Sequence, residues 1–125
     1  MNETGKFGIL SKADNDVAKL YLSGYLDAHT ATELECAISQ IIGEGKYYIL
    51  VNFKNLDYIS SAGLGVFMAF VEEIRENNGD IKLCEMSQKV FQVFDLLGFP
   101  ILFDILESEE QVMEKFNKGD LKKND

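Results

Sequence analysis

The stretch at residues 47–53, YYILVNF, constrains the fold of this chain more than any other segment. Aromatic and β-branched residues, which favour strands, make up most of it. A strand with one wet face alternates apolar and polar residues, whereas this run is nearly continuously apolar. We therefore predict a central strand that is buried on both faces, in a sheet with helices packed over it.

The segments around this run predict alternating strands and helices. Their order, β-β-α-β-α-β-α-β-α, predicts a single α/β domain with a mixed, mostly parallel sheet of about five strands and about four helices. We assign this domain to residues 1–118 and expect residues 119–125 to be a disordered polar tail. The predicted strands cover residues 7–13, 17–23, 47–53, 81–84 and 101–106, and the predicted helices cover residues 30–42, 62–77, 87–97 and 108–116.

Local signals define several ends of these elements. Gly24 ends or bulges the second strand, and Asn55 and Asp57 indicate a turn after the third. Thr30 with Glu33 predicts a capping box at the first helix, with Asp27 as a rival N-cap one turn earlier. Ser108 with Gln111 predicts a second capping box at the last helix.

Composition excludes several classes of function. The net charge of −9 argues against nucleic acid as a partner, because binding to phosphates requires a basic surface. No apolar run is long enough to span a bilayer, so we expect no membrane association. Cys36 and Cys84 lack metal-ligand spacing and lie in apolar stretches, which predicts buried, reduced thiols in a cytoplasmic protein. We expect no metal and no cofactor.

One segment, residues 57–67, departs from ordinary α/β patterns. Ser60 and Ser61 stand where a strand leads into a helix, and Gly63 and Gly65 follow in the first turns of that helix. A serine is an ordinary N-cap, but a helix uses one N-cap, so we expect the second hydroxyl to be exposed. A glycine inside a helix costs about 1 kcal/mol relative to alanine, which indicates either close packing within the domain or the approach of another chain.

The helix that begins here carries no charge over residues 62–71. A surface helix normally has one apolar stripe and a charged back, so this helix is either buried all round or meets a partner. A domain of 125 residues has little room to bury a helix completely, which favours the partner. The same flank could serve a homodimer.

A catalytic role for Ser61 is the weaker interpretation. The nucleophile elbow requires glycine two positions before the serine, and Ile59 stands there instead. His29 is the only histidine, and a lone loop histidine is more often a surface residue than a general base. We therefore expect no enzymatic activity, with a serine hydrolase using Ser61 and His29 as a remote alternative.

Two motifs in this chain resemble those of the STAS-domain anti-sigma factor antagonists. Residues 22–30, LSGYLDAHT, are similar to the family's Leu-x-Gly-x-Leu-Asp-x-x-Thr, and residues 60–65, SSAGLG, are similar to its Asp-Ser-Ser/Thr-Gly-Leu-Gly. The resemblance extends over about residues 7–116. Three positions depart from the family pattern: Ser60 stands where many members have aspartate, Ala62 replaces the second hydroxyl, and Tyr25 replaces a commonly acidic residue.

The resemblance implies a function and a set of site residues. The unphosphorylated protein would bind an anti-sigma factor that is a serine kinase, and so release a sigma factor. That kinase would phosphorylate Ser61, or less favourably Ser60, and a serine phosphatase would reverse the modification. The partner-binding residues implied by position are Asp27, Thr30, Ser60, Ser61, Ala62, Gly63, Leu64 and Gly65.

Other roles known for STAS domains remain alternatives at this point. They are a scaffold subunit in a stress-signalling assembly, an accessory of lipid transport and a nucleotide-sensing module. A purely structural module, in which both serines only cap the helix, is a further alternative.

Overall fold

A computed structural model describes residues 6–123 of the chain, with side chains to residue 118. It is one α/β domain with a five-stranded sheet in the order β1-β2-β3-β4-β5. β1 and β2 are antiparallel, and the remaining three pairs of neighbouring strands are parallel. The elements are β1 (Gly8–Asp14), β2 (Val17–Leu26), α1 (Ala31–Gly43), β3 (Tyr48–Ile59), α2 (Ser61–Glu76), β4 (Asp80–Cys84), α3 (Gln88–Leu96), α4 (Phe99–Leu102), β5 (Ile105–Leu106) and α5 (Glu109–Lys123).

The central strand β3 is covered on both faces, as its apolar run predicts. Ile49 and Val51 point into a core built with α1, α2, α3 and α4, while Leu50 points into a smaller core beneath α5. All three side chains are fully buried. The run is continuous because successive strand residues alternate between two dry faces.

The larger core contains a group of phenylalanines that ties α2, α3 and α4 to the sheet. Phe53 on β3 lies 5.9 Å from Phe67 and 5.5 Å from Phe94, measured between ring centroids. Phe99 and Phe103 stack at 5.3 Å. Aromatic contacts of this kind add about 0.5–1.5 kcal/mol each beyond the area they bury.

Two predicted boundaries in the sheet were wrong. β3 continues through Asn55 and Asp57 to Ile59, because irregularities in its pairing with β2 absorb extra β3 residues there. The strand predicted over residues 101–106 is instead α4 followed by the two-residue β5. Pro100 lies in the first turn of α4, where its missing N–H costs nothing.

Gly24 does not end β2, and it lies beside a β-bulge in which β3 carries the extra residue. Its φ is +81°, and a Cβ at this position would lie 1.7 Å from the carbonyl oxygen of Lys6. Only glycine combines this backbone conformation with so close a neighbour. β2 continues past Gly24 to Leu26, which positions the loop that follows it.

Other predictions had mixed outcomes. Both cysteines are free, but only Cys84 is buried; Cys36 is exposed on the outer face of α1, so the prediction of its burial was wrong.

The capping box at α5 is confirmed, since the Gln111 N–H donates to Ser108 Oγ and the Ser108 N–H donates to Gln111 Oε1, both at 3.2 Å. α5 runs to Lys123, beyond the predicted domain boundary at residue 118. That boundary and the disordered tail expected over residues 119–125 stay predictions. None of the described helices is long and apolar enough to cross a membrane.

Candidate functional site

The two motifs singled out in the sequence meet at one edge of the sheet. Leu26 and Ile59 are paired residues at the carboxyl ends of β2 and β3. Just beyond them, the backbone N–H of Ser60 donates to the carbonyl oxygen of Leu26 at 2.9 Å. In parallel α/β sheets this edge is where binding sites form, because the loops after the strands converge there.

The two serines have different environments. Ser60 is the N-cap of α2, and its Oγ accepts a hydrogen bond of 3.4 Å from the Gly63 N–H. Ser61 is the first residue of the helix and is exposed. Within residues 6–123 its hydroxyl has no hydrogen-bond partner. The expectation that one hydroxyl caps the helix and the other faces solvent is confirmed.

The two glycines of α2 are there for different reasons. A Cβ on Gly63 would lie 2.7 Å from Leu26 Cγ, so this glycine allows the helix to pack tightly against the end of β2. A Cβ on Gly65 would have no neighbour within 4 Å, and Gly65 is exposed. Close packing within the domain therefore explains Gly63 and leaves Gly65 unexplained.

The outer flank of α2 is exposed and uncharged. Met68 keeps 45% of its surface exposed. Val66 and Phe67 are buried on the inner side. Of the predicted partner-binding residues on the helix, Gly63 and Leu64 are buried, so their side chains do not face solvent. The flank, which we call the α2 flank, consists of Ser61, Ala62, Gly65, Met68 and Ala69.

The loop from Asp27 to Thr30 is held beside the α2 flank by its own side chains. Thr30 Oγ1 donates to the Tyr25 carbonyl oxygen and accepts from the Asp27 N–H, both at 2.9 Å. Asp27 Oδ1 accepts from the His29 N–H, also at 2.9 Å. The predicted capping box was wrong, because Thr30 Oγ1 is turned back towards β2 and makes no cap hydrogen bond to α1. The threonine and the aspartate thus fix the shape of the loop.

Sequence reasoning missed a pair of tyrosines at the same edge. Tyr25 and Tyr58 are paired across β2 and β3, one residue before the buried Leu26 and Ile59. Their ring centroids lie 5.6 Å apart, and the two residues remain 42% and 43% exposed. A signal was available: each tyrosine precedes a core residue in an extended segment, so alternation points it away from that core.

The geometry gives little support to a hydrolytic site. His29 is exposed, and within the described residues neither its ring nor the Ser61 hydroxyl takes part in a hydrogen bond. No cluster of three metal-ligating side chains occurs among the described residues. What the edge of the sheet does present is one free hydroxyl, an uncharged helix flank and two exposed aromatic rings.

Comparisons with known proteins all point to one family. The family model for the STAS domain matches residues 9–122 of the chain. A Bordetella bronchiseptica protein, provisionally named anti-sigma factor antagonist BtrV, is 32% identical over 95 residues, covering 76% of this chain and 82% of its own. The anti-sigma-B factor antagonist of Staphylococcus epidermidis is 28% identical over 96 residues, covering 77% and 89%.

Solved structures share the fold. SpoIIAA in its unphosphorylated form, described as an anti-sigma factor antagonist, aligns with a TM-score of 0.75 at 24% identity, over 90% of this chain and 96% of its own. The phosphorylated form of the Bacillus SpoIIAA aligns with a TM-score of 0.67 at 23% identity, over 88% and 98%. The residues matched by the family model include both motifs and all of the five strands except Gly8; the chain belongs to the family of STAS-domain anti-sigma factor antagonists.

Proposed function

We propose that this chain is an anti-sigma factor antagonist whose activity is switched by phosphorylation of Ser61. The unphosphorylated form binds an anti-sigma factor with serine kinase activity and so frees a sigma factor. The kinase then phosphorylates Ser61, binding is lost, and a serine phosphatase restores the first form. The chain acts in the cytoplasm as a binding protein and not as an enzyme.

The observation that carries this proposal is the state of the Ser61 hydroxyl. It is exposed and unpaired within the described residues, whereas its neighbour Ser60 is occupied as the helix cap. A kinase can reach Ser61 without disturbing the start of α2. The names of the relatives and the existence of SpoIIAA in phosphorylated and unphosphorylated forms support the assignment.

The surface offered to the partner consists of the α2 flank and the adjoining loop. Gly65 allows another backbone to approach α2 closely, which gives a reason for a glycine that the domain itself does not require. Asp27 and Thr30 hold the loop beside this flank. Gly63 and Leu64 support this surface indirectly, because they are buried and let α2 pack closely against β2.

The switch works at the surface and leaves the fold intact. A phosphate adds about −1.5 to −2 charge at neutral pH. At the first residue of a helix such a charge is favourable, because free N–H groups and the helix dipole attract anions. The loss of binding then comes from bulk and from the cost of desolvating a dianion against a surface shaped for a hydroxyl.

Phosphorylation mapping tests the proposal directly. The chain is incubated with ATP and each kinase-type anti-sigma factor of its own organism, and the modified residue is located by mass spectrometry. We expect phosphate on Ser61 in the parent chain and in Ser60→Ala, and none in Ser61→Ala. Phosphate on Ser60, or none with any candidate kinase, contradicts the proposal.

Ser61→Asp separates the effect on binding from any effect on folding. We expect this variant to melt like the parent, because an acidic residue suits the helix start, and to lose detectable binding to the anti-sigma factor. Calorimetry for binding and circular dichroism for melting measure the two quantities. A variant that binds normally, or one that melts much earlier than the parent, rules out a switch by surface charge.

A further inference from the structure

The tyrosine pair at the edge of the sheet is partly open to solvent. Both residues keep more than two fifths of their surface exposed. Within the described residues neither hydroxyl makes a hydrogen bond to protein. Single exposed apolar residues are ordinary, but two aromatic rings in mutual contact form a rigid surface of considerable area.

The pair stands next to the residues of the proposed switch. Tyr58 is three residues before Ser61, and the carbonyl oxygen of Tyr25 accepts the hydrogen bond from Thr30 that fixes the loop. The Ser60 N–H is bonded to the residue directly after Tyr25. The rings and the residues of the proposed switch therefore share the carboxyl ends of β2 and β3.

The two segments that build this edge are acidic, and Lys6, whose backbone lies against Gly24, is a basic residue next to them. The segments 25–30 and 56–65, which build this edge, carry Asp27 and Asp57 and no lysine or arginine. Asp57 is exposed in the irregular part of β3, directly before Tyr58. An aromatic face flanked by carboxylates favours a guanidinium, which stacks on the ring and pairs with the carboxylate at the same time.

We propose that Tyr25 and Tyr58 form an aromatic ledge that binds an arginine-bearing surface of the anti-sigma factor. This inference rests on the proposed function and adds a second contact to it. The ledge contributes to binding before and after phosphate transfer alike, so it affects KM for the phosphoacceptor chain and not kcat. Tyrosine and arginine are also the residues most enriched among dominant contacts in protein interfaces.

The test compares substitutions that keep the ring with substitutions that keep only its apolar character. The double variant Tyr25→Phe/Tyr58→Phe retains both π faces, and Tyr25→Leu/Tyr58→Leu removes them. We expect the leucine variant to raise KM in the Ser61 phosphorylation assay about tenfold with kcat unchanged, and the phenylalanine variant to stay within about twofold of the parent. Circular dichroism verifies that both variants melt like the parent.

The chain offers a matched control far from the ledge. Ile101 on α4 is 89% exposed, and its neighbour Leu102 contacts Arg75 through a hydrogen bond from Nη2 to the Leu102 carbonyl oxygen. Arg75 lies fourteen residues beyond Ser61 on α2, which is about 21 Å along the helix axis. Ile101→Ser is expected to leave KM unchanged.

A charge variant tests the cation. Asp57→Lys places a positive charge beside the ledge, and we expect it to raise KM by at least fivefold at low ionic strength. The effect should shrink as salt is added, because exposed charges are screened within about 10 Å at 0.1 M. An effect of Asp57→Lys that is absent, or that does not depend on salt, overturns the assignment of an arginine.

The remaining outcomes separate this inference from the proposed function. If no anti-sigma factor phosphorylates or binds the parent chain, both the proposed function and the ledge are overturned. This result is obtained before any ledge variant is made. A parent that is phosphorylated while the leucine variant keeps its KM overturns the ledge alone. The ledge is also overturned if Ile101→Ser impairs the reaction as strongly as the leucine variant.

Discussion

Adjacent hydroxyls can differ completely in what they do, and Ser60 and Ser61 illustrate why. The direction of each side chain follows from its place relative to the first helical turn. The residue before the helix aims its oxygen at free N–H groups, while the first helical residue points outwards. The proposed phosphoacceptor thus stands next to the cap without any cost to the helix, which a single serine serving both purposes could not achieve.

Removing each hydroxyl in turn should separate these roles. We expect Ser60→Ala to lower the free energy of unfolding by about 0.5–1 kcal/mol, at the lower end for an N-cap because its hydrogen bond is long, 3.4 Å. Ser61→Ala, the matched control, should change it by less than about 0.5 kcal/mol. Urea unfolding followed by circular dichroism measures both, and equal losses would contradict the assignment of the cap to Ser60.

At the scale of elements, α2 combines a packed inner face with a bare outer flank. Its two glycines mark these two sides. Alanine is a better helix former than glycine, so a substitution without a steric conflict stabilises the helix, while one with a conflict does not. The two positions therefore respond in opposite directions to the same change.

The glycine pair gives an internal comparison. We expect Gly65→Ala to raise the free energy of unfolding by up to about 1 kcal/mol while weakening binding of the anti-sigma factor, because the added methyl occupies the flank. Gly63→Ala should instead lower it by about 1–3 kcal/mol, since its Cβ meets Leu26. Thermal melting and calorimetric titration measure the two effects. A Gly65→Ala chain that binds like the parent would show that no partner approaches there.

One carboxylate at the start of the last helix, α5, makes several hydrogen bonds to side chains of the sheet, in addition to the apolar core beneath the helix. Glu109 Oε2 accepts from Lys19 Nζ at 2.8 Å and from the Tyr21 hydroxyl at 2.9 Å, and Oε1 accepts from Asn52 Nδ2 at 3.2 Å. Burial alone would raise the pKa of Glu109, but these hydrogen bonds outweigh it and hold the pKa below its usual value. The ionised form is therefore the one that holds α5.

This pKa shift predicts a pH dependence with a definite sign. Because the pKa of Glu109 is lowered in the folded state, its contribution to stability is present above the unfolded pKa of about 4.3 and is lost as pH falls through the folded value. We expect Glu109→Gln to be less stable than the parent at pH 7 and to differ less from it at pH 3. Urea unfolding at both pH values measures this.

Asp104 provides the control for this experiment. Burial raises its pKa, but the hydrogen bond from Lys82 and the charges of Lys82 and Lys115 outweigh burial and leave the pKa lowered. The parent and Glu109→Gln both contain Asp104, so both keep the loss of stability in acid that its protonation causes. A stability difference between parent and Glu109→Gln that stays constant from pH 7 to pH 3 would contradict the role assigned to the Glu109 charge.

The sequence was informative wherever local pattern and burial agree. The apolar run of β3 predicted burial on both faces, and the Ser108–Gln111 box predicted the start of α5. Prediction failed where tertiary pairing overrides local preference. Asn55 and Asp57 favour turns, but pairing with β2 keeps them in a strand, and Pro100 lies in the first turn of a short helix instead of only ending the previous one.

The candidate site was predictable in part for the same reason. The serines and glycines stand in one segment, so the sequence could indicate a cap, an exposed hydroxyl and an uncharged helix. The contact between Tyr25 and Tyr58 depends on the register of β2 against β3, across 33 positions of the chain, and no local pattern specifies that register. The exposure of Cys36 likewise depends on which side of α1 meets the sheet.

At the scale of the whole molecule, the two cysteines report on the integrity of the fold. Cys36 is exposed, whereas Cys84 lies in the smaller core beneath α5, where burial raises the pKa of its thiol to about 12. A thiol that is both inaccessible and protonated reacts only when the structure opens. The difference between the two thiols is a property of the folded domain and not of either local sequence.

Thiol titration should therefore be biphasic. We expect one cysteine to react rapidly with a disulfide reagent in the native chain and the second only upon addition of denaturant. Cys36→Ser, the control, should abolish the rapid phase and leave the slow one. Two rapid thiols in the native chain would show that α5 does not cover Cys84 in solution.

The close contact at Gly24 also determines how this protein is best handled in the laboratory. Because the Lys6 carbonyl lies against Gly24, one residue before Tyr25, the chain enters the fold beside the ledge. α5 starts near Tyr21 and runs towards Tyr48, whose ring lies 5.4 Å from that of Phe116, so it leads to the opposite edge of the sheet. Affinity tags, fluorophores and sensor-chip tethers therefore belong after α5, where they leave the proposed binding edge unobstructed.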